Sequence, residues 1–141
     1  MSCIDLNQIN PAELQHNLAT CKTLVACLCA DWCDVCKAFR PSYEALSEQF
    51  PDCLFLWIDI EDQDALVGDL DVENFPTILV QQQHIVSFYG TMQPDVSQIK
   101  RLLLSQSQLD TDQLQREYTV SPQHRRWQTE VNLRQRISHH V

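Results

Sequence analysis

No stretch of the sequence is apolar for long enough to cross a bilayer. The opening MSCIDLNQINPAELQ has no basic lead, apolar run or small-residue cleavage pattern. These absences point to a soluble, cytoplasmic protein that engages no membrane. Basic residues are also few: ten Lys and Arg against nineteen Asp and Glu, a net charge of −9. The imbalance lies in the body, where residues 1–109 hold five basic and fifteen acidic side chains, whereas 110–141 hold five and four. Affinity for phosphate comes from Lys and Arg, so an acidic body excludes a nucleic-acid groove or an anionic lipid surface, and most of the acid is read as a solubilising face. A zinc site would want four ligands, and no second cysteine pair or spaced histidine pair supplies them, since the His139–His140 doublet lies at the far terminus. No metal and no organic cofactor is expected.

What is present is a core-forming chain rich in thiols. With 141 residues, 44% of them hydrophobic, one ordinary core and an appendage can form, but hardly two full domains. The seven cysteines are odd in number and unlike a secreted disulfide framework in spacing, so most should be reduced thiols. Cys53, which opens an apolar strand, is read as a small buried hydrophobe.

Asn10-Pro11-Ala12-Glu13 reads as a helix start, with Asn10 as N-cap, Pro11 at the first helical position and Glu13 placed to reach back as in a capping box; the helix should run to about Ala19. Thr23–Cys29 is a continuous apolar run suited to a strand covered on both faces. From Cys33, the apolar residues Val35, Cys36, Phe39, Tyr43, Leu46 and Phe50 recur at helical spacing, predicting a helix towards Pro51 that Pro41 should kink. Leu54–Ile58 reads as a second buried strand and Asp62–Leu70 as an acidic helix. Thr77–Val80 and Ile85–Tyr89 read as a hairpin across Gln81–His84, although that connection lacks the usual glycine. Pro94-Asp95 starts a last helix through Ile99, Leu102 and Leu103. Strands alternating with helices and closing on a hairpin define an α/β fold with a mixed sheet.

After about Ser105 the composition turns to Gln, Ser, Asp and Arg, with seven glutamines, which suits a disordered tail. Leu109, Leu114, Tyr118, Trp127, Val131, Leu133 and Ile137 suit a docked one instead. A helix from about Ser121 would gather Trp127, Val131, Leu133 and Ile137 on a broad face, with Arg125 and Arg136 opposite.

Cys33-Asp34-Val35-Cys36 falls where a strand ends and a helix begins. Unsatisfied backbone N–H groups and the helix dipole at Cys33 favour a thiolate, making it the nucleophile. Cys36, one turn inside and more shielded, can resolve a mixed disulfide. This is the chemistry of thiol–disulfide exchange.

Ala30-Asp31-Trp32-Cys33-Asp34-Val35-Cys36-Lys37, with Pro41 five residues on, Asn74-Phe75-Pro76-Thr77 about forty residues later and then Gly90, resembles the thioredoxin family in motif, spacing and order over residues 1 to about 107. The resemblance implies a thioredoxin fold: α/β, a central mixed β-sheet flanked by helices in residues 1–107, with 108–141 as a C-terminal extension that is helical or partly disordered. It implies that Trp32 shields the disulfide, Cys33 attacks, Cys36 resolves, and Pro76 is the cis-proline beside the site. Phe75 would offer its backbone to an extended polypeptide, as in strand addition. The Cys33–Cys36 disulfide would be the redox group.

Several departures bear on tuning. Six residues before Cys33, where the family carries a buried Asp, stands Cys27, and the family's strand lysine is replaced by Trp57. Losing both together leaves no lone buried charge, but deprotonation of Cys36 must then rely on water or substrate, which slows resolution. Cys29 stands where the family usually has an aromatic residue. Either Cys27 or Cys29 can be imagined as an auxiliary thiol beneath the pair, with small apolar packing the expectation for both. Asp31 and Asp34 set negative charge about Cys33, and Lys37 follows the pair as a further tuning residue. By Coulomb repulsion the acids disfavour the thiolate and predict a reducing poise.

The expected activity is that of a thiol–disulfide oxidoreductase working as a protein disulfide reductase, with protein disulfides as substrates and an upstream dithiol reductase as electron donor. The competing expectation is a binding or chaperone-like adaptor in which residues 108–141 hold a partner and redox activity is secondary. Deleting the tail should separate the two, sparing turnover in a reductase.

Overall fold

The computed structural model describes residues 3–70 and 72–140. The chain runs β1 (Cys3–Asp5), α1 (Pro11–Thr20), β2 (Thr23–Cys29), α2 (Asp34–Gln49), β3 (Cys53–Asp59), α3 (Asp64–Val67), β4 (Thr77–Gln82), β5 (Ile85–Thr91), α4 (Val96–Gln106), α5 (Thr111–Glu117), α6 (Pro122–Glu130) and α7 (Leu133–His140). The sheet order is β1-β3-β2-β4-β5. Strands β1 and β2 run parallel to β3, while β4 is antiparallel to β2 and β5, giving the mixed sheet the sequence predicts.

The apolar runs of β2 and β3 are buried on both faces because successive side chains point opposite ways. Leu24, Ala26, Leu28, Leu54, Leu56 and Ile58 meet Leu14 and Leu18 of α1, Leu66 and Val67 of α3, and Val131, Leu133 and Ile137. The alternate residues Val25, Cys27, Cys29, Phe55 and Trp57 meet Phe39, Tyr43 and Leu46 of α2 and Ile99 and Leu103 of α4. Two half-cores therefore lie on either side of one sheet.

Local signals explain most boundaries. Asn10 Oδ1 accepts from the N–H groups of Ala12 (2.8 Å) and Glu13 (3.4 Å), the forward half of the predicted capping box. The acidic helix is one turn, not Asp62–Leu70, because the Asp59 carboxylate takes the N–H groups of Glu61 (2.9 Å) and Asp62 (3.1 Å) and turns the chain first. The hairpin connection shrinks to Gln83 and His84, with Gln83 at φ 55° in the left-handed region that glycine usually fills. Its N–H donates to Lys22 O (2.7 Å), which helps hold that backbone. Strand β1 carries no apolar run that could announce it; pairing with β3 makes it a strand.

The C-terminal stretch is helical. Asp110 and Gln113 form a complete capping box for α5, and Ser121 caps α6 with Pro122 behind it. The single helix expected from Ser121 breaks at Val131–Asn132, and Arg136, expected opposite the apolar face, turns back onto the domain. Its guanidinium donates to Leu66 O (2.9 Å) and pairs with Asp69 (2.7 Å). Gln81, fully buried on β4, explains the break: its amide oxygen accepts the N–H groups of Leu133 (3.1 Å) and Arg134 (3.2 Å), starting α7, and its nitrogen donates to Asn132 Oδ1 (2.7 Å). Gln128 likewise takes the Val86 N–H (2.8 Å) and donates to Val86 O (2.9 Å) on β5. Among the described residues no helix is long and apolar enough to cross a membrane.

Candidate active site

Strand β2 ends at Cys29, a short turn follows, and Cys33 is the residue before the first turn of α2. Its N–H donates to Ala30 O (3.0 Å) and its carbonyl accepts from the Lys37 N–H (3.1 Å). No side chain caps α2, so its first N–H groups remain available to a thiolate at Cys33. Cys33 is a free, half-buried thiol. Cys36 sits a turn inside, 1% exposed and facing the sheet.

The sulfur of Cys36 is bonded to Cys29, not to Cys33; the two Cα atoms lie 5.9 Å apart, inside the usual disulfide range. This differs from the expected Cys33–Cys36 bond and from the expectation that Cys29 merely packs. The physical reason is position: Cys29 closes β2 on the face that α2 covers, beneath the first helical turn that carries Cys36. The usable signal was the alternation Cys27–x–Cys29, which directs both thiols at α2.

Trp32 is 64% exposed and makes an edge contact with Phe75, ring centroids 5.7 Å apart. The Phe75–Pro76 peptide bond is cis, and Pro76 is buried. Val35, 45% exposed, extends the apolar surface beside the free thiol. Acid rings it: Glu61 accepts from Trp32 Nε1 (2.5 Å), and Asp31, Asp34 and Asp62 are exposed.

The family model for thioredoxin matches residues 5–103. The chain belongs to the thioredoxin family. A thioredoxin from Mycoplasmoides gallisepticum is 29% identical over 73 residues, covering 52% of this chain and 73% of that one. A thioredoxin from Ophiophagus hannah is 35% identical over 66 residues, covering 47% and 61%. A solved mutant thioredoxin from Halobacterium salinarum superposes with a TM-score of 0.63 at 25% identity, covering 77% of this chain and 94% of its own. Thioredoxins are thiol–disulfide oxidoreductases, and this chain carries the enzyme class of its family.

Cys27 and Trp57 are direct neighbours in the β2–β3 register, and the Arg40 guanidinium lies 5.0 Å above the Trp57 ring. Burial, then the nearby Cys3, pushes the Cys27 thiol well above its ordinary range, so at neutral pH it is a protonated thiol and no general base. Cys27 Sγ lies 3.6 Å from Cys29 Sγ.

A buried carboxylate does exist, one that the sequence reading did not single out. Asp59 pairs in register with Cys29, is 4% exposed, and also accepts the Asp31 N–H (2.8 Å). It thereby ties the turn before Cys33 to the turn after β3. Its hydrogen bond and its charge push the neighbouring Asp31 carboxyl above the usual range. Asp34, Val35 and Lys37 point outward. Asp31, Asp59 and Asp62 form the one acidic group among the described residues spaced to hold a cation.

Proposed function

We propose that this protein is a protein disulfide reductase whose exchange begins at Cys33. The observation that carries the reading is a free, half-buried thiol at an uncapped helix N-terminus beside the exposed Trp32–Phe75 pair. A substrate disulfide laid along Phe75 and Pro76 would meet Cys33 first, form a mixed disulfide, and be released when the buried Cys36 attacks Cys33. Trp32 and Pro76 then shape the docking surface, while Asp31, Asp34 and Lys37 tune it.

The acidic rim of Asp31, Asp34, Glu61 and Asp62 favours substrates with basic surfaces and makes association slow down as salt rises. No organic cofactor enters this cycle; a dithiol reductase in the same compartment, the cytoplasm on this reading, returns the electrons and ties the protein to cellular redox balance. Residues 108–141 are proposed as an extension that completes the fold. Their apolar anchors Val131, Leu133 and Ile137 face the chain's own core, which weighs against the adaptor alternative.

Turnover of a protein disulfide, monitored with a dithiol donor, tests the reading. Cys33→Ser should abolish it, and the couple should equilibrate with glutathione close to the roughly −270 mV of thioredoxin itself. Retained turnover in Cys33→Ser removes the proposal, and a potential near about −120 mV replaces the reductase with an oxidant.

A further inference from the structure

We infer that Cys29 is a third exchanging thiol of this centre, which takes the disulfide over from Cys33 and holds it buried as Cys29–Cys36. The inference rests on the reading of Cys33 as the thiol that meets substrate. Cys36 lies between two partners: Cys33 one turn away at the rim, and Cys29 beneath, already bonded to it. Cys29 and Cys36 are each 1% exposed, whereas Cys33 is half-buried and free.

Each step balances within the protein. After substrate release the bond is Cys33–Cys36. The Cys29 thiolate attacks Cys36 Sγ, the Cys29–Cys36 bond forms, the Cys33–Cys36 bond breaks, and Cys33 leaves as a thiolate. The proton that Cys29 gave up ends on Cys33, and no oxidant or reductant is consumed.

Cys27 fits the role of assistant. A disulfide-bonded Cys29 carries no proton, so in the 3.6 Å contact the Cys27 S–H is the donor. That same S–H is placed to stabilise the Cys29 thiolate when the exchange runs backwards. The backward step is the way out: Cys33 attacks Cys36, expels Cys29 and returns the disulfide to the surface, where a dithiol can reduce it. The oxidised protein is thus held in a form that shields its disulfide and leaves Cys33 free at the rim.

The sequence makes the test direct. Cleavage after lysine and before aspartate cuts 23–37 into 23–30 with Cys27 and Cys29, 31–33 with Cys33, and 34–37 with Cys36. Full-length protein is oxidised with stoichiometric diamide, its remaining thiols are blocked with N-ethylmaleimide in denaturant, and the fragments are weighed. The expected product joins 23–30 to 34–37 and leaves 31–33 carrying the blocker. A product joining 31–33 to 34–37, with 23–30 blocked at both cysteines, overturns the inference; so does a bond within 23–30. In Cys29→Ala the link should move to 31–33 and 34–37, and the oxidised variant should show one fast-reacting thiol fewer than oxidised wild type in native buffer. A variant that keeps that thiol also overturns it. Cys33→Ser turnover is read separately, so loss of the Cys29 role leaves the reductase reading intact.

Discussion

The two faces of the sheet come from the same strands but are made of different material. The face under α2 and α4 holds sulfur and rings: Cys27, Cys29 and Cys36 beside Tyr43, Phe55 and Trp57. The face under α1, α3 and the C-terminal helices is almost wholly aliphatic, and its polar groups are spent on backbone, as with Arg134 donating to Leu18 O (2.5 Å) and Cys21 O (2.8 Å). Exchange chemistry needs soft, reactive groups near an open helix terminus, which are poor material for rigid packing. The other face supplies the rigidity. Since α3 is a single turn, it cannot cover that face alone, and α6 and α7 complete the layer.

The largest break in this comparison would come from ending the chain after Leu109. Leu114, Val131, Leu133 and Ile137, each 5% exposed or less, would be lost, and the truncated protein should show no cooperative thermal transition by circular dichroism, so tail deletion does not separate reductase from adaptor as the sequence suggested. A cooperative melt would make the tail an ornament and the two faces equal. At full length, Ile137→Ala should cost about 3 kcal/mol in urea unfolding. Next comes Gln81→Leu, which leaves the Leu133 and Arg134 N–H groups and the Asn132 side chain without their buried partner; about 2 kcal/mol is expected.

On the thiol face the expected effects are smaller. Tyr43→Phe removes an O–H that donates to Leu56 O (2.9 Å) and Val25 O (3.2 Å), at about 1 kcal/mol by the same measurement. A larger loss there than for Ile137→Ala would invert the comparison. The smallest effect concerns Asp31, whose carboxyl is raised by the hydrogen bond and charge of Asp59. A raised acid binds protons more tightly when folded, so its contribution is complete below the unfolded value near about 3.9 and is lost as pH climbs through the folded one. Asp31→Asn should therefore leave the melting temperature at pH 3 unchanged and raise it slightly at pH 7. A variant that melts lower at pH 7 contradicts the assigned repulsion.

Local signals made much of this legible. The apolar runs of β2 and β3, the period of α2 and the Asn10 cap are each written within a few residues, and the Trp32–Lys37 motif with Pro76 carried the family. What was not legible depends on neighbours distant in sequence. Strand β1 exists because β3 offers it a ladder, and the α6–α7 break exists because Gln81, some fifty residues earlier, supplies an acceptor. The Cys29–Cys36 bond joins the end of a strand to the start of a helix, and only the packing of α2 on the sheet brings them together.

Gln128 has one more consequence. Strand β5 is an edge of the sheet, and an open edge is a template on which another molecule's strand can add, the first step towards fibrils. By filling both backbone groups of Val86 with a side-chain amide, Gln128 closes a rung near the start of that edge, while β1 at the other edge is three residues long. The same helices that seal the aliphatic face thus guard the protein against polymerising through its own sheet.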